Sequence, residues 1–203
     1  MITIVSSGYG NFKSVKNMIG KIGFSSILTN DYNQIIKASK IILPGIGSFD
    51  KAIESLKENN LDKAIFKALD NKAHLLGICV GMQMLFDSSE EGSKKGLGLI
   101  DGKVIKFSKK DKNFPVPHMG WNTIDIKKKS QIFNSDEKLL RFYFAHSYYC
   151  ECKDENNVLS TTSYSKNFTS SVSKDNIFGV QFHPEKSHDY GKKILNNFLM
   201  IND

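Results

Sequence analysis

The chain has 203 residues, a formal net charge of +7, 40% hydrophobic residues and 24% charged residues. A chain of that length buries roughly 70% of its unfolded surface and needs no staples, and no apolar run approaches the ~18 residues of a membrane span. A membrane protein and a small disulfide scaffold are therefore both excluded. The positive charge does not point to nucleic acid either. Of the 28 basic side chains all but Arg141 are lysine, and phosphates and base edges are read best by the planar guanidinium fork. The lysines clustered from Lys103 to Lys112, with Lys127, Lys128 and Lys129, read as a solvated surface. Cys79, Cys150 and Cys152 have no framework spacing and suit a reducing compartment. The opening residues lack the basic stretch and cleavage site of a signal peptide, so a cytoplasmic location is expected.

In chain order, Ile2 to Val5 predicts a strand. Phe12, Val15, Met18, Ile19 and Ile22 then recur at helical spacing, closed by Gly23. Strands are predicted at Ser26 to Thr29, Lys40 to Leu43 and His74 to Ile78, with amphipathic helix between them, clearest from Asp50 to Leu69. Alternation of this kind predicts an α/β fold with an open, mostly parallel sheet flanked by helices. The second half is strand-rich, with runs at Val104 to Phe107, Trp121 to Ile126 and Leu140 to Cys150. Tyr190, Ile194, Leu195, Phe198 and Leu199 then share one face of a last helix. With no repeat and no linker, one domain over 1–203 is expected.

Three motifs carry chemistry. Gly77-Ile78-Cys79-Val80-Gly81 lies between an apolar strand and the helical Met82 to Phe86, the pattern of a nucleophile elbow in which flanking glycines relieve a tight turn. A helix beginning there aims peptide dipoles at the Cys79 sulfur and frees the Val80 N–H for a developing oxyanion. Taken alone, a buried structural cysteine explains the motif equally well. Gln181-Phe182-His183-Pro184-Glu185 sets a base two residues from a carboxylate, on one face if the segment is extended, and Pro184 disfavours helix there. Leu43-Pro44-Gly45-Ile46-Gly47 ends another strand and offers backbone donors for an oxyanion hole. All three fall at carboxyl ends of predicted parallel strands, where open α/β sheets place ligands. Neither His118 nor His146 has a partner at metal-ligand spacing, so no metal and no cofactor is expected.

These motifs, in this order, resemble the class I (triad) glutamine amidotransferases. Pro117-His118-Met119-Gly120-Trp121-Asn122, Tyr143-Phe144-Ala145-His146-Ser147-Tyr148-Tyr149 and Lys186-Ser187 are similar to the glutaminase subunits of imidazole glycerol phosphate synthases. The resemblance spans essentially the whole chain. It implies that the side chain of glutamine is hydrolysed and its ammonia channelled, within a heterodimer, to a (β/α)8-barrel cyclase subunit making imidazole glycerol phosphate and AICAR in histidine biosynthesis. Carried over, Cys79 is the nucleophile, His183 the base and then acid, held near neutral pKa, and Glu185 its orienting group. Val80 and the Gly45, Ile46 and Gly47 loop supply oxyanion donors, with Gly45 and Gly47 able to flip a peptide. Gln83, His146, Ser147 and Tyr148 hold glutamine, and Asn11, His118, Met119 and Trp121 lie toward the partner.

One run departs from that family. Ser6-Ser7-Gly8-Tyr9-Gly10-Asn11 lacks the acid the family carries before Tyr-Gly, which opens a second assignment: a paralogue supplying ammonia to a barrel synthase for acetamidino or related amino sugars of surface glycans. A hydrolase of other γ-glutamyl bonds and a catalytically dead scaffold are the readings from other classes.

Overall fold

The computed structural model describes residues 1–8, 10–108, 113–133 and 140–202. Tyr9 and Lys109, Lys110 and Lys112, named above, lie outside them. In chain order the elements are β1 (Ile2–Val5), α1 (Phe12–Lys21), β2 (Ser26–Thr29), α2 (Tyr32–Ile35), β3 (Lys40–Gly45), α3 (Phe49–Glu58), α4 (Leu61–Asp70), β4 (His74–Cys79) and α5 (Val80–Gln83). The second half holds β5 (Ser88–Ser89), β6 (Gly102–Lys106), β7 (His118–Thr123), β8 (Asp125–Ile126), β9 (Arg141–His146), β10 (Tyr148–Cys152), β11 (Val158–Ser163), β12 (Asn167–Lys174), β13 (Ile177–Val180) and α6 (His188–Leu199).

The main sheet runs β2-β1-β3-β4-β13-β12-β10-β6-β5, with β11 and β8 branching from β12. From β2 to β13 all pairs are parallel. Each of β13–β12, β12–β10 and β10–β6 is antiparallel. The parallel half is covered on both faces, and all six residues of β3 are buried, as expected where helices flank a sheet. Contacts of α1 with α6, and of α4 with α2 and α3, mark the two helical layers.

The helical run from Asp50 to Leu69 is two helices. The break falls at Asn59 and Asn60, where Asn60 turns left-handed at φ 53°, a conformation that asparagine tolerates better than most residues. The two long predicted strands also divide. Ile124 separates β7 from β8, and Ser147 separates β9 from β10. The second break has a topological cause: among the described residues β9 pairs with β7 alone in a two-stranded ribbon, whereas β10 belongs to the main sheet. The chain therefore changes sheets at Ser147. Beneath the ribbon, Phe142 stacks on Phe182 at 3.9 Å between ring centres with both side chains fully buried, a pairing that contributes about 1 kcal/mol beyond its buried area.

Candidate active site

The residue that ends β4, Cys79, has φ 57° and ψ −112° and passes directly into α5. Such a backbone costs a non-glycine residue about 1–3 kcal/mol and survives only where its surroundings impose it. The surroundings here are glycines. A Cβ on Gly81 would overlap Leu43 O, and one on Gly45 would lie 2.6 Å from Gly81 N, so β3 and α5 approach backbone to backbone. Gly45 is therefore not a flexible loop residue, as the sequence suggested. It is buried, closes β3 and pairs with Cys79 in register. The turn that follows is exposed at Ile46 and Gly47, and Gly47 takes φ 83°.

His183 follows β13 and is fixed from both sides: its N–H donates to Tyr143 O at 2.8 Å, and Ser187 Oγ donates to its carbonyl at 2.6 Å. The expected extended His-Pro-Glu segment is instead the start of a 3₁₀ turn, Pro184–Lys186. Pro184 occupies its first position, where a missing N–H costs nothing and the fixed φ favours the turn. The turn still brings the carboxylate home, with His183 Nδ1 2.9 Å from Glu185 Oε1. Both side chains are almost fully buried. Asn11 Nδ2 donates to the same carboxylate oxygen at 3.3 Å, so Asn11 faces the acid rather than open solvent.

Burial by itself pulls His183 toward the neutral form, but the charge and hydrogen bond of Cys79, and then those of Glu185, outweigh it and raise the imidazole to about 10. The near-neutral histidine expected from the sequence is thereby replaced by an imidazolium paired with the cysteine, since both of its partners favour the charged ring. Cys79 Sγ also lies 3.8 Å from Gln181 Nε2 and 4.0 Å from Ala145 O.

Cys79 and His183 line a cavity of about 330 Å³ walled by Ile46, Gly47, Val80, Gln83, Glu91, Pro117, Met119, Ala145, His146, Ser147, Tyr148 and Lys186 as well. Three parallel strand ends and the β7–β9 ribbon thus converge on one volume. Gln83 Nε2 donates to Tyr148 O and to Gln181 Oε1, both at 3.1 Å, which commits both amide hydrogens. Glu91, whose carboxylate accepts from Phe49 N at 2.8 Å, was not singled out in the sequence and carries no local signal there. Gln181 was legible: it stands two residues from His183 on the same strand end.

His118 is buried, while Met119 is 64% and Trp121 39% exposed. Strand alternation separates them, since 119 and 121 point one way and 118 the other. Only two of the three β7 residues expected toward a partner therefore face outward, and Trp121 stacks on His188 at 5.6 Å. Desolvation lowers His118 to about 4. The same desolvation, against the Tyr148 carbonyl bond and with His118 and His183 nearby, lowers His146 to about 3. The unfolded chain takes up protons on these rings near pH 6.5 and the folded chain does not, so stability falls as pH drops from about 6.5 toward 4. Thermal melts across that range are expected to show a steeper acid loss for the wild type than for His118→Phe; equal slopes would contradict it.

A model of the family described as Glutamine amidotransferase class-I matches residues 3–202. The chain is 53% identical over 200 residues to imidazole glycerol phosphate synthase subunit HisH 2 of Methanococcus maripaludis, covering 98% of each. It is 46% identical to the HisH subunit of Sulfurimonas denitrificans, covering 98% of this chain and 97% of that one. It is also 43% identical to that of Leptospira interrogans, covering 99% and 100%. Among solved structures it superposes on PurLQS from Thermotoga maritima with TM-score 0.74 at 21% identity, over 98% of this chain and 96% of that one. A structure titled glutamine amidotransferase gives TM-score 0.76 at 15% identity, over 98% and 97%. The chain belongs to the class-I glutamine amidotransferases and is an enzyme of that class. Within the class it falls among the HisH subunits of imidazole glycerol phosphate synthase.

Proposed function

We propose that this chain is a single-domain glutaminase subunit, cytoplasmic, working as a heterodimer with a (β/α)8-barrel cyclase in histidine biosynthesis. The carrying observation is the pair Cys79 and His183, brought to one cavity at adjacent strand ends, with Glu185 bonded behind the His183 ring. Glutamine enters with its side-chain amide toward Cys79. Gln83 Oε1, the acceptor left when both amide hydrogens are committed, meets the substrate NH₂, and the Glu91 carboxylate on the cavity wall pairs with the α-ammonium. The Cys79 thiolate attacks the amide carbon, and the oxygen takes up the electron pair of the carbonyl. Val80 N–H, at the first helical position and without an intrahelical acceptor, and the Ile46–Gly47 turn donate to that oxyanion. Each donor is worth roughly 3 kcal/mol in the transition state. His183 then gives its proton to the departing nitrogen and ammonia leaves. Water, deprotonated by His183, splits the thioester to glutamate and restores the thiolate–imidazolium pair. Glu185 holds the ring so that its other nitrogen faces the sulfur.

Met119 on the cavity wall and Trp121, two residues along the same exposed face of β7, support an apolar seat for the synthase subunit. The test is glutamate release from glutamine, by the chain alone and then with a histidine-pathway cyclase and its ligand. Stimulation by that cyclase is expected. Glutaminase activity stimulated only by a glycan-pathway barrel subunit would move the partner to the second assignment. Activity on γ-glutamyl peptides without any partner would favour a free hydrolase.

A further inference from the structure

Buried beneath β7 at 3% exposure, His118 is stacked between Phe144 at 4.8 Å and Tyr164 at 4.0 Å, and it does not line the cavity. Both of its ring nitrogens are nevertheless committed, and the direction of each bond follows from the partners. Tyr148 O only accepts, so His146 Nδ1, 2.7 Å away, carries the proton. A neutral His146 then has a bare Nε2, which accepts from His118 Nδ1–H at 2.9 Å. The bare Nε2 of His118 in turn faces Asn122 Nδ2 at 3.3 Å. Burial keeps both rings neutral across the physiological range, so the order of donors does not scramble.

Downstream, Tyr148 O also accepts from Gln83, whose amide bonds Gln181, which reaches Cys79 Sγ. The register adds a second connection. His118 pairs with His146 and Met119 with Ala145, whose carbonyl faces the sulfur at 4.0 Å. We propose that His118 is a positioning residue for glutamine turnover: acting through His146, its Nδ1–H fixes the Ala145–Tyr148 wall of the cavity against Cys79. The role rests on the glutaminase function proposed above. Without that N–H, His146 Nε2 loses its donor and the ring keeps a single anchor, its own Nδ1–H on Tyr148 O, so the carbonyl that Gln83 also uses is held less firmly.

Two substitutions separate the hydrogen bond from packing. His118→Phe keeps a ring between Phe144 and Tyr164 but has no donor, whereas His118→Asn loses the ring and returns an amide N–H near the place of Nδ1. Two readouts are needed: glutamine kinetics in the complex with the stimulating synthase subunit, and alkylation of Cys79 by iodoacetamide in the free chain, with added N-acetylcysteine as the reference thiol. His118→Phe is expected to raise KM for glutamine by about tenfold or more, with a smaller change in kcat. It should also change the Cys79 alkylation rate at least about threefold, and His118→Asn should recover most of both. Wild-type behaviour of His118→Phe in both readouts, or an asparagine variant as impaired as phenylalanine, would overturn the proposal. If the wild-type complex hydrolyses no glutamine, the glutaminase assignment falls, and the alkylation rates alone decide the positioning role. Should His118→Phe not fold, His118→Met, which fills the space without a donor, takes its place.

Discussion

Cys79→Ala is expected to reduce glutamine hydrolysis by about 10⁴-fold or more, because removing the atom that forms the thioester leaves only binding and oxyanion stabilisation. The fold should survive, since the thiol adds a single small group to a densely packed elbow and its contacts to Gln181 and Ala145 are long sulfur contacts of 3.8 and 4.0 Å. A second substitution exposes what the elbow costs. At φ 57° and ψ −112° alanine inherits the strain of cysteine and glycine does not. Cys79→Gly should therefore be as inactive as Cys79→Ala but more stable than it by about 1 kcal/mol. Steady-state glutaminase assays and chemical denaturation of the pair check this. Residual Cys79-independent turnover near the wild-type rate would remove the nucleophile from the mechanism.

A large stability effect is expected at Gly81. Any Cβ there would overlap the backbone carbonyl of Leu43, and Leu43 lies in the fully buried β3, which cannot recede. Neither side of the contact is a flexible side chain, so relief requires moving α5 off the sheet. Gly81→Ala should cost about 3–5 kcal/mol, the range associated with overpacked cores and strained backbones. Activity should fall with it, because Cys79, Val80 and Gln83 move with the same turn. Gly20→Ala supplies the control: its Cβ meets nothing within 4 Å on α1, and it should be neutral or slightly stabilising. Urea denaturation of the two variants side by side separates the outcomes.

Much of this architecture was legible before any coordinate. The alternation of β1 through β4 with helices, and the glycines around Cys79, carry local signals that tertiary structure had no reason to override. What escaped the sequence was long-range. The break at Ser147 was not legible within the strand-like run from Leu140 to Cys150, because it reflects which partner strand is available and not a local preference. The buried face of His118 required knowing that β7 is a strand and where its alternation begins. Pro184 was read as a helix breaker, yet at the first position of a turn the same fixed φ is a starter. Glu91 reaches the cavity only because Phe49, some forty residues earlier, anchors its carboxylate.

The separation of the β7–β9 ribbon from the main sheet gives the cavity two walls of different mechanical character. Cys79 stands on a strand hydrogen-bonded on both sides by β3 and β13, the central placement from which the slowest-opening amides of a domain are drawn. The opposite wall, Ala145 to Tyr148, begins in a ribbon of two strands, an element that has little stability of its own and borrows its order from what it packs on. Nucleophile and wall thus stand on different sheets, joined through the Gln83 and Gln181 side chains. Pressure on the outward-facing Met119 and Trp121 can shift the seat of the substrate while the sulfur stays where the central sheet holds it.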